Sequence, residues 1–224
     1  MENLIESNLN ELKRSIADFQ KKYRRGNEEI TLVAVSKTQS AAKIKKVYNL
    51  GLRKFAENYL QEAEDKQNEL KDLEIEWHFI GKIQSNKTAY IANNFSWVHS
   101  IERQKIALRL NNQRRESLPK LNVLIQLKLP GKKKSGILPE ELSEFSKEVL
   151  KLEKLRLRGV MYFPPKVDSF EENRANYLKV INLAKSLRFI DTLSMGTSSD
   201  YESAIAAGTT MVRLGTTIFG PRVQ

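Results

Sequence analysis

The chain has 224 residues, and its 38 Lys plus Arg outnumber 27 Asp plus Glu to give a formal net charge of +11 at pH 7. With no cysteine and two histidines, it cannot assemble a disulfide framework, a thiolate metal site or a His-rich metal centre. Residues 1–25 mix Glu2, Glu6 and Glu11 with Lys13 and Arg14, unlike a signal or transit peptide, and no apolar run approaches the roughly 18 residues of a membrane span. The expectation is a cytoplasmic protein with no membrane partner.

In chain order, Ile5, Leu9, Leu12, Ile16 and Phe19 recur at steps of four and three, which predicts an amphipathic helix over residues 3–24. The run from Leu32 to Thr38 reads as a fully buried strand. Ser40 then caps a helix that carries Ile44 and Val47 and closes at Gly51. A strand at 54–58, a helix at 59–70 and a strand at 76–81 begin a repeat. It continues with a helix at 86–94, a strand at 97–101, a helix at 102–114 and a strand at 121–128. Residues 129–136, with Lys132, Lys133 and Lys134, read as a mobile loop. Pro139 starts a helix to about residue 153, followed by a strand at 157–163 and a helix at 169–188. A strand at 192–196, a helix at 200–207, a strand at 211–215 and a short helix from Thr216 complete the pattern. Eight strands, each followed by a helix, predict a single (β/α)8 TIM barrel over residues 1–224 with an extra N-terminal helix. The competing doubly wound sheet would want a glycine-rich turn after its first strand, where Ser36-Lys37-Thr38-Gln39 offers none.

At a period of two, Thr31, Val33, Val35 and Lys37 share one face, which sets the Lys37 amine at the carboxyl end of a buried parallel strand. A strand-end lysine reaching for water is the plainer reading of that position. The loops after strands seven and eight, around Ser198 and at Gly215-Thr216-Thr217, both open helices, and barrels often bind a ligand phosphate there. Ser199 and Glu202 have capping-box spacing. Arg213 shares the inner face of strand eight with Met211, and its guanidinium needs an acceptor: an inward carboxylate, for which Glu57 and Glu76 are the candidates, or a ring nitrogen of a ligand. Together these groups suit a phosphorylated aldehyde held by an amine. The clusters Lys21-Lys22-Tyr23-Arg24-Arg25 and Lys132-Lys133-Lys134 are not interleaved with aromatics as an RNA platform would be, so no nucleic-acid partner is expected.

The blocks Ala34-Val35-Ser36-Lys37-Thr38, Phe55-Ala56-Glu57-Asn58-Tyr59, Trp77-His78-Phe79-Ile80-Gly81, Gln84-Ser85-Asn86-Lys87, Arg156-Leu157-Arg158-Gly159, Leu193-Ser194-Met195-Gly196 and Met211-Val212-Arg213-Leu214-Gly215-Thr216 occur in that order. In this the chain resembles the pyridoxal phosphate homeostasis proteins, whose barrel is that of the alanine racemase N-terminal domain, the third fold type of pyridoxal phosphate proteins. The resemblance runs from about Leu32 to Arg222. It implies pyridoxal 5'-phosphate as cofactor, Lys37 as the lysine that holds it as an imine, Arg213 as partner of the pyridine nitrogen, Ser198, Gly215 and Thr216 as phosphate ligands, and Asn58 beside the ring. Thr197 and Ser199 depart from the Met and Asp that the family commonly has there. His78 reads as a satisfied core residue, with an approach to the cofactor as the alternative, and Lys87 and Lys134 as solvated lysines.

The function implied is a non-catalytic binder that buffers pyridoxal phosphate or delivers it to apo-enzymes, acting as a monomer. Nine residues follow Gly215, where alanine racemase continues into a domain bearing a second base, so two-sided proton transfer is not expected. A racemase, decarboxylase or aldolase on the same fold is the enzyme alternative.

Overall fold

Short buried runs alternating with amphipathic stretches close this chain into a barrel of eight parallel strands in sequence order, β1 to β8, with β8 pairing back onto β1. The structure is a computed structural model that describes residues 2–26, 28–130, 135–165, 167–187 and 189–221. The strands are β1 (Thr31–Val35), β2 (Lys54–Glu57), β3 (Glu76–Phe79), β4 (Trp97–Ile101), β5 (Leu121–Leu127), β6 (Leu155–Tyr162), β7 (Thr192–Ser194) and β8 (Met211–Leu214). The helices are α1 (Glu2–Lys22), α2 (Ala41–Asn49), α3 (Leu60–Glu69), α4 (Thr88–Asn94), α5 (Gln104–Gln113), α6 (Leu142–Leu150), α7 (Phe170–Ala184), α8 (Tyr201–Ala207) and α9 (Thr216–Phe219). Single 3-10 turns, Ser85–Lys87 and Pro139–Glu141, lead into α4 and α6.

Each predicted element is present, and its ends move where a partner dictates. β6 starts at Leu155 instead of residue 157 because Leu155 pairs with Leu121 on β5. Ser40 caps α2, its hydroxyl accepting the Lys43 N–H at 3.4 Å. Residues 131–134 of the lysine-rich loop, and Arg188 at the expected end of α7, lie outside the described residues.

The alternation within strands sorts side chains into two apolar sets. Val33, Ala56, Ile80, Trp97, Leu124, Met161 and Met211 fill the barrel interior, while Val212, Leu214, Phe55 and Trp77 face the surrounding helices. Helix α1 buries Ile5, Leu9, Leu12 and Ile16 against the outside of the barrel. It is tied to α8 and α9 by Lys22 and Tyr23, both 2.8 Å from Glu202 Oε1, and by Asn8, which donates to the Ile218 carbonyl at 3.2 Å. Among the described residues no helix is long and apolar enough to cross a membrane.

Candidate functional site

Lys37 sits two residues beyond β1, in a turn closed by the Gln39 N–H donating to the Ser36 carbonyl at 3.0 Å. Thr38, beside it, has φ 62°, a left-handed conformation that costs a β-branched residue on the order of 1–2 kcal/mol. What holds the turn is an ionic cluster packed behind it. The Thr38 N–H donates to Glu62 Oε2 at 2.7 Å, and the Lys66 ammonium donates to the Ser36 carbonyl at 2.8 Å, to Glu57 Oε1 at 2.9 Å and to Glu62 Oε2 at 3.1 Å. The Ser36 hydroxyl donates to the same Glu57 oxygen at 2.6 Å. Burial pushes the Glu57 carboxyl up, against the pull of Ser36 and Lys66. Burial acts the same way on Glu62, but there the Thr38 N–H and the charges of Lys66 and Lys37 win, and its pKa lies below the ordinary value. Glu57 is therefore no partner of Arg213. Ala56 takes the inward position on β2, and the next residue must face α3.

Across the mouth, the segment after β7 is folded around Asp200, whose Oδ1 accepts from the Thr197 N–H at 2.6 Å and from the Thr197 hydroxyl at 2.8 Å. The expected capping box does not form. α8 takes Asp200 as its N-cap, one residue late, so Glu202 is out of register and bonds Lys22 and Tyr23 instead. This turn delivers Ser198 to the start of α9, where its hydroxyl oxygen accepts the N–H of Gly215 at 3.3 Å and of Thr217 at 3.4 Å. Gly215 keeps this approach close, since a Cβ would stand 3.0 Å from the Val35 carbonyl oxygen and push the two strand ends apart by a few tenths of an ångström.

Arg213 lies on the inner face of β8, only 1% exposed. One Nη donates to Ser194 Oγ at 2.6 Å, the other to the Tyr162 carbonyl at 3.3 Å, and the guanidinium carbon lies 4.3 Å from the Phe163 ring centroid. Burial lowers its pKa to about 10, so it remains a cation at neutral pH. Among the described residues its Nε has no partner, and neither does the buried Oδ1 of Asn58.

All six residues singled out in the sequence, Lys37, Asn58, Ser198, Arg213, Gly215 and Thr216, line one cavity of about 390 Å³ together with Val35, Gln39, Ile80, Phe163, Thr197, Ser199 and Gly220. Among the described lining residues there are two cations and no carboxylate, which selects an anionic ligand. Pyridoxal phosphate fits this donor set. The orphan Arg213 Nε–H matches an unprotonated ring nitrogen, Asn58 Oδ1 matches a ring substituent that donates, and the Ser198 and Thr216 hydroxyls at the start of α9 match the phosphate. Lys87 is exposed on its 3-10 turn, outside this lining.

His78 is not in the cavity. It is buried below it inside the barrel, stacked on Trp97 at 5.4 Å, with Nδ1 2.8 Å from His99 Nε2 and Nε2 2.9 Å from Glu76 Oε1. Glu76, the other carboxylate offered to Arg213, is thereby engaged near the opposite end of the barrel. Burial lowers the pKa of both imidazoles from the ordinary 6.5, that of His99 further. The unfolded chain therefore binds more protons than the folded one below pH 6.5. This contribution to stability is complete above that pH and lost as pH falls, at about 1.4 kcal/mol per pH unit for each proton of difference. Glu57, shifted upward, opposes the trend, and Glu62 and Glu76, shifted downward, reinforce it at lower pH. Urea unfolding at pH 7 and pH 5.5 is expected to give a lower midpoint at pH 5.5, and an unchanged or higher midpoint would contradict neutral buried histidines.

A family model described as the alanine racemase N-terminal domain matches residues 7–223. Curated proteins named pyridoxal phosphate homeostasis protein align at 49% identity in Pseudomonas aeruginosa, covering 86% of this chain and 85% of that one, and at 46% in Escherichia coli K12, covering 98% and 97%. The chain belongs to the pyridoxal phosphate homeostasis protein family. Among solved structures, PipY of Synechococcus elongatus with PLP bound superposes with a TM-score of 0.81 at 34% identity, covering 92% of this chain and all of PipY. Alanine racemase of Clostridium difficile 630, at 16% identity and TM-score 0.72 over 99% of this chain and 58% of that one, shares the barrel fold.

Some residues that shape this family member's site carried little signal in the sequence. Glu62 and Lys66 stand at i,i+4 on α3, a spacing that marks a helix pair but not its burial under the Lys37 turn. Gly81 is another. A Cβ there would fall 1.9 Å from the Asn58 carbonyl oxygen, so Gly81 sets how closely β3 approaches the Asn58 segment. Gly81→Ala is expected to destabilise by more than about 2 kcal/mol and to displace Asn58 from the cavity. Thermal melting with a ligand titration checks it, and wild-type values for both would refute the close approach.

Proposed function

We propose that this protein holds pyridoxal phosphate in the mouth of its barrel and buffers or hands on the cofactor without turning over amino acids. The observation that carries the reading is the convergence of Lys37, Asn58, Ser198, Arg213, Gly215 and Thr216 on one cation-lined cavity with no carboxylate among its described lining residues. When bound, the cofactor would supply an aldehyde for a primary amine. Lys37 would be that amine, carried on a turn clamped by Glu62 and Lys66. Arg213 would hold the ring nitrogen through its Nε–H, Asn58 a ring substituent, and Ser198, Gly215 and Thr216 the phosphate.

Two features of the site weigh against catalysis. A guanidinium does not surrender a proton to the ring nitrogen, so the ring remains a weak electron sink. Lys37 and Arg213 are also the only titratable side chains among the described lining residues, so no second base faces the lysine. The partners fitting this role are apo-enzymes that need the cofactor, served by a monomeric, cytoplasmic donor.

Loaded protein is tested in two mixtures: with an apo-enzyme that requires pyridoxal phosphate, and with each amino acid in deuterated water. Activation of the apo-enzyme with negligible α-deuterium incorporation is the expected result. Rapid exchange or racemisation at catalytic protein concentrations would replace the carrier reading with an enzyme.

A further inference from the structure

Both histidines of the chain belong to one line of hydrogen bonds that ends on Arg213. Arg213 Nη1 lies 2.6 Å from Ser194 Oγ, Ser194 Oγ 3.1 Å from His99 Nδ1, His99 Nε2 2.8 Å from His78 Nδ1, and His78 Nε2 2.9 Å from Glu76 Oε1. Ser194, His99 and His78 are fully buried, whereas the Glu76 side chain, at the amino-terminal end of β3, is 37% exposed. The line thus draws on β8, β7, β4 and β3 and crosses the barrel interior from the floor of the Lys37 cavity to the opposite mouth.

The chemistry of its two ends sets its direction. A guanidinium only donates and a carboxylate only accepts. Ser194, accepting from Arg213, donates its hydroxyl proton to His99 Nδ1. His99 then donates through Nε2–H to His78 Nδ1, and His78 through Nε2–H to Glu76. Both imidazoles are neutral Nε2–H tautomers, in keeping with the burial that lowers their pKa values and with the hydrogen bond from His78 that keeps Glu76 ionised. Opposite polarity would require a protonated Glu76.

We propose that Ser194, His99, His78 and Glu76 are positioning residues for the cofactor ring, a one-way hydrogen-bond chain that fixes the Arg213 guanidinium and ends on a carboxylate at the far end of the barrel. This rests on the reading of the cavity as a pyridoxal phosphate site. A carboxylate in direct contact with Arg213 would compete for the Nε–H that the ring nitrogen takes and would repel the phosphate. The relay anchors the arginine through neutral groups instead, and the Nε–H stays available.

Direction is tested in unliganded protein labelled with 15N-histidine, whose spectrum contains only two imidazoles. Both are expected as neutral Nε2–H forms at pH 7. In Glu76→Gln the amide can donate to His78 Nε2, and His78 is expected to shift toward Nδ1–H. The positioning role is tested with pyridoxal phosphate and with its analogue in which C–H replaces the ring nitrogen. Ser194→Ala is expected to weaken pyridoxal phosphate about tenfold while leaving the analogue unchanged, and Ser194→Thr, which keeps the hydroxyl, to restore affinity. Glu76→Gln carries the same contrast at a partly exposed position if Ser194→Ala does not fold. A protonated or Nδ1–H imidazole in the unaltered protein overturns the direction, and equal losses for both ligands overturn the positioning role. If pyridoxal phosphate does not bind although both imidazoles are Nε2–H, the cofactor reading fails and the chain's direction stands.

Discussion

Lys37→Ala is expected to abolish covalent capture of pyridoxal phosphate while leaving a folded protein. Capture needs a primary amine within reach of an aldehyde whose phosphate is docked at α9 and whose ring meets Arg213, and Lys37 is the only lysine among the described lining residues. The fold should tolerate the change because the turn is held by groups other than the Lys37 side chain. Gln39 N–H to the Ser36 carbonyl, Thr38 N–H to Glu62, and Lys66 to Ser36, Glu57 and Glu62 all persist in the alanine variant. Losing one partly exposed side chain, with its attraction to Glu62, is expected to lower stability only modestly. Borohydride treatment of the loaded wild type, followed by peptide mass mapping, should put the adduct on Lys37. An adduct on Lys87 or Lys134, with Lys37 unmodified, would sink the assignment.

The strand that carries Lys37 was legible because a buried parallel strand leaves an apolar run, and a period of two then fixes which face its end presents. The same parity placed Arg213 beside Met211 on the inner face, and the cavity follows from those two strand ends. Pairwise partners were not legible. Glu57 and Glu76 both had the chemistry to meet Arg213, but the phase of β2 turns one outward to Lys66, and the start of β3 leaves the other near the opposite mouth. His99 gave no sign of its role, since it follows Val98 in a short apolar strand and meets Ser194 only across the closed barrel. The capping box failed for a local reason: Asp200 accepts from Thr197 and begins α8 one residue late. Thr38 is a stronger case, because its positive φ is imposed by Glu62 and Lys66, and nothing about a threonine announces it.

Ser198→Ala combined with Thr216→Val is expected to weaken pyridoxal phosphate far more than pyridoxal, which lacks the phosphate. The Ser198 oxygen already accepts from the N–H groups of Gly215 and Thr217, so its own hydroxyl proton is the part left to donate outward. Thr216 is exposed at the first position of α9 and offers a second hydroxyl beside the cavity. A hydrogen bond to a charged group contributes about 1.5–3 kcal/mol, so either substitution alone should cost roughly tenfold or more. The pair should approach about a hundredfold, short of strict additivity because both hydroxyls serve one ligand group. Ser198→Ala releases the Gly215 and Thr217 N–H groups from their internal acceptor, so the phosphate gains donors there, and this sets a floor on the loss. Pyridoxal should change little, because Lys37, Asn58 and Arg213 are untouched. Dissociation constants for the two ligands on wild type, both single variants and the pair decide the matter. Parallel losses for pyridoxal and pyridoxal phosphate would show that Ser198 and Thr216 support the mouth of the barrel without binding phosphate.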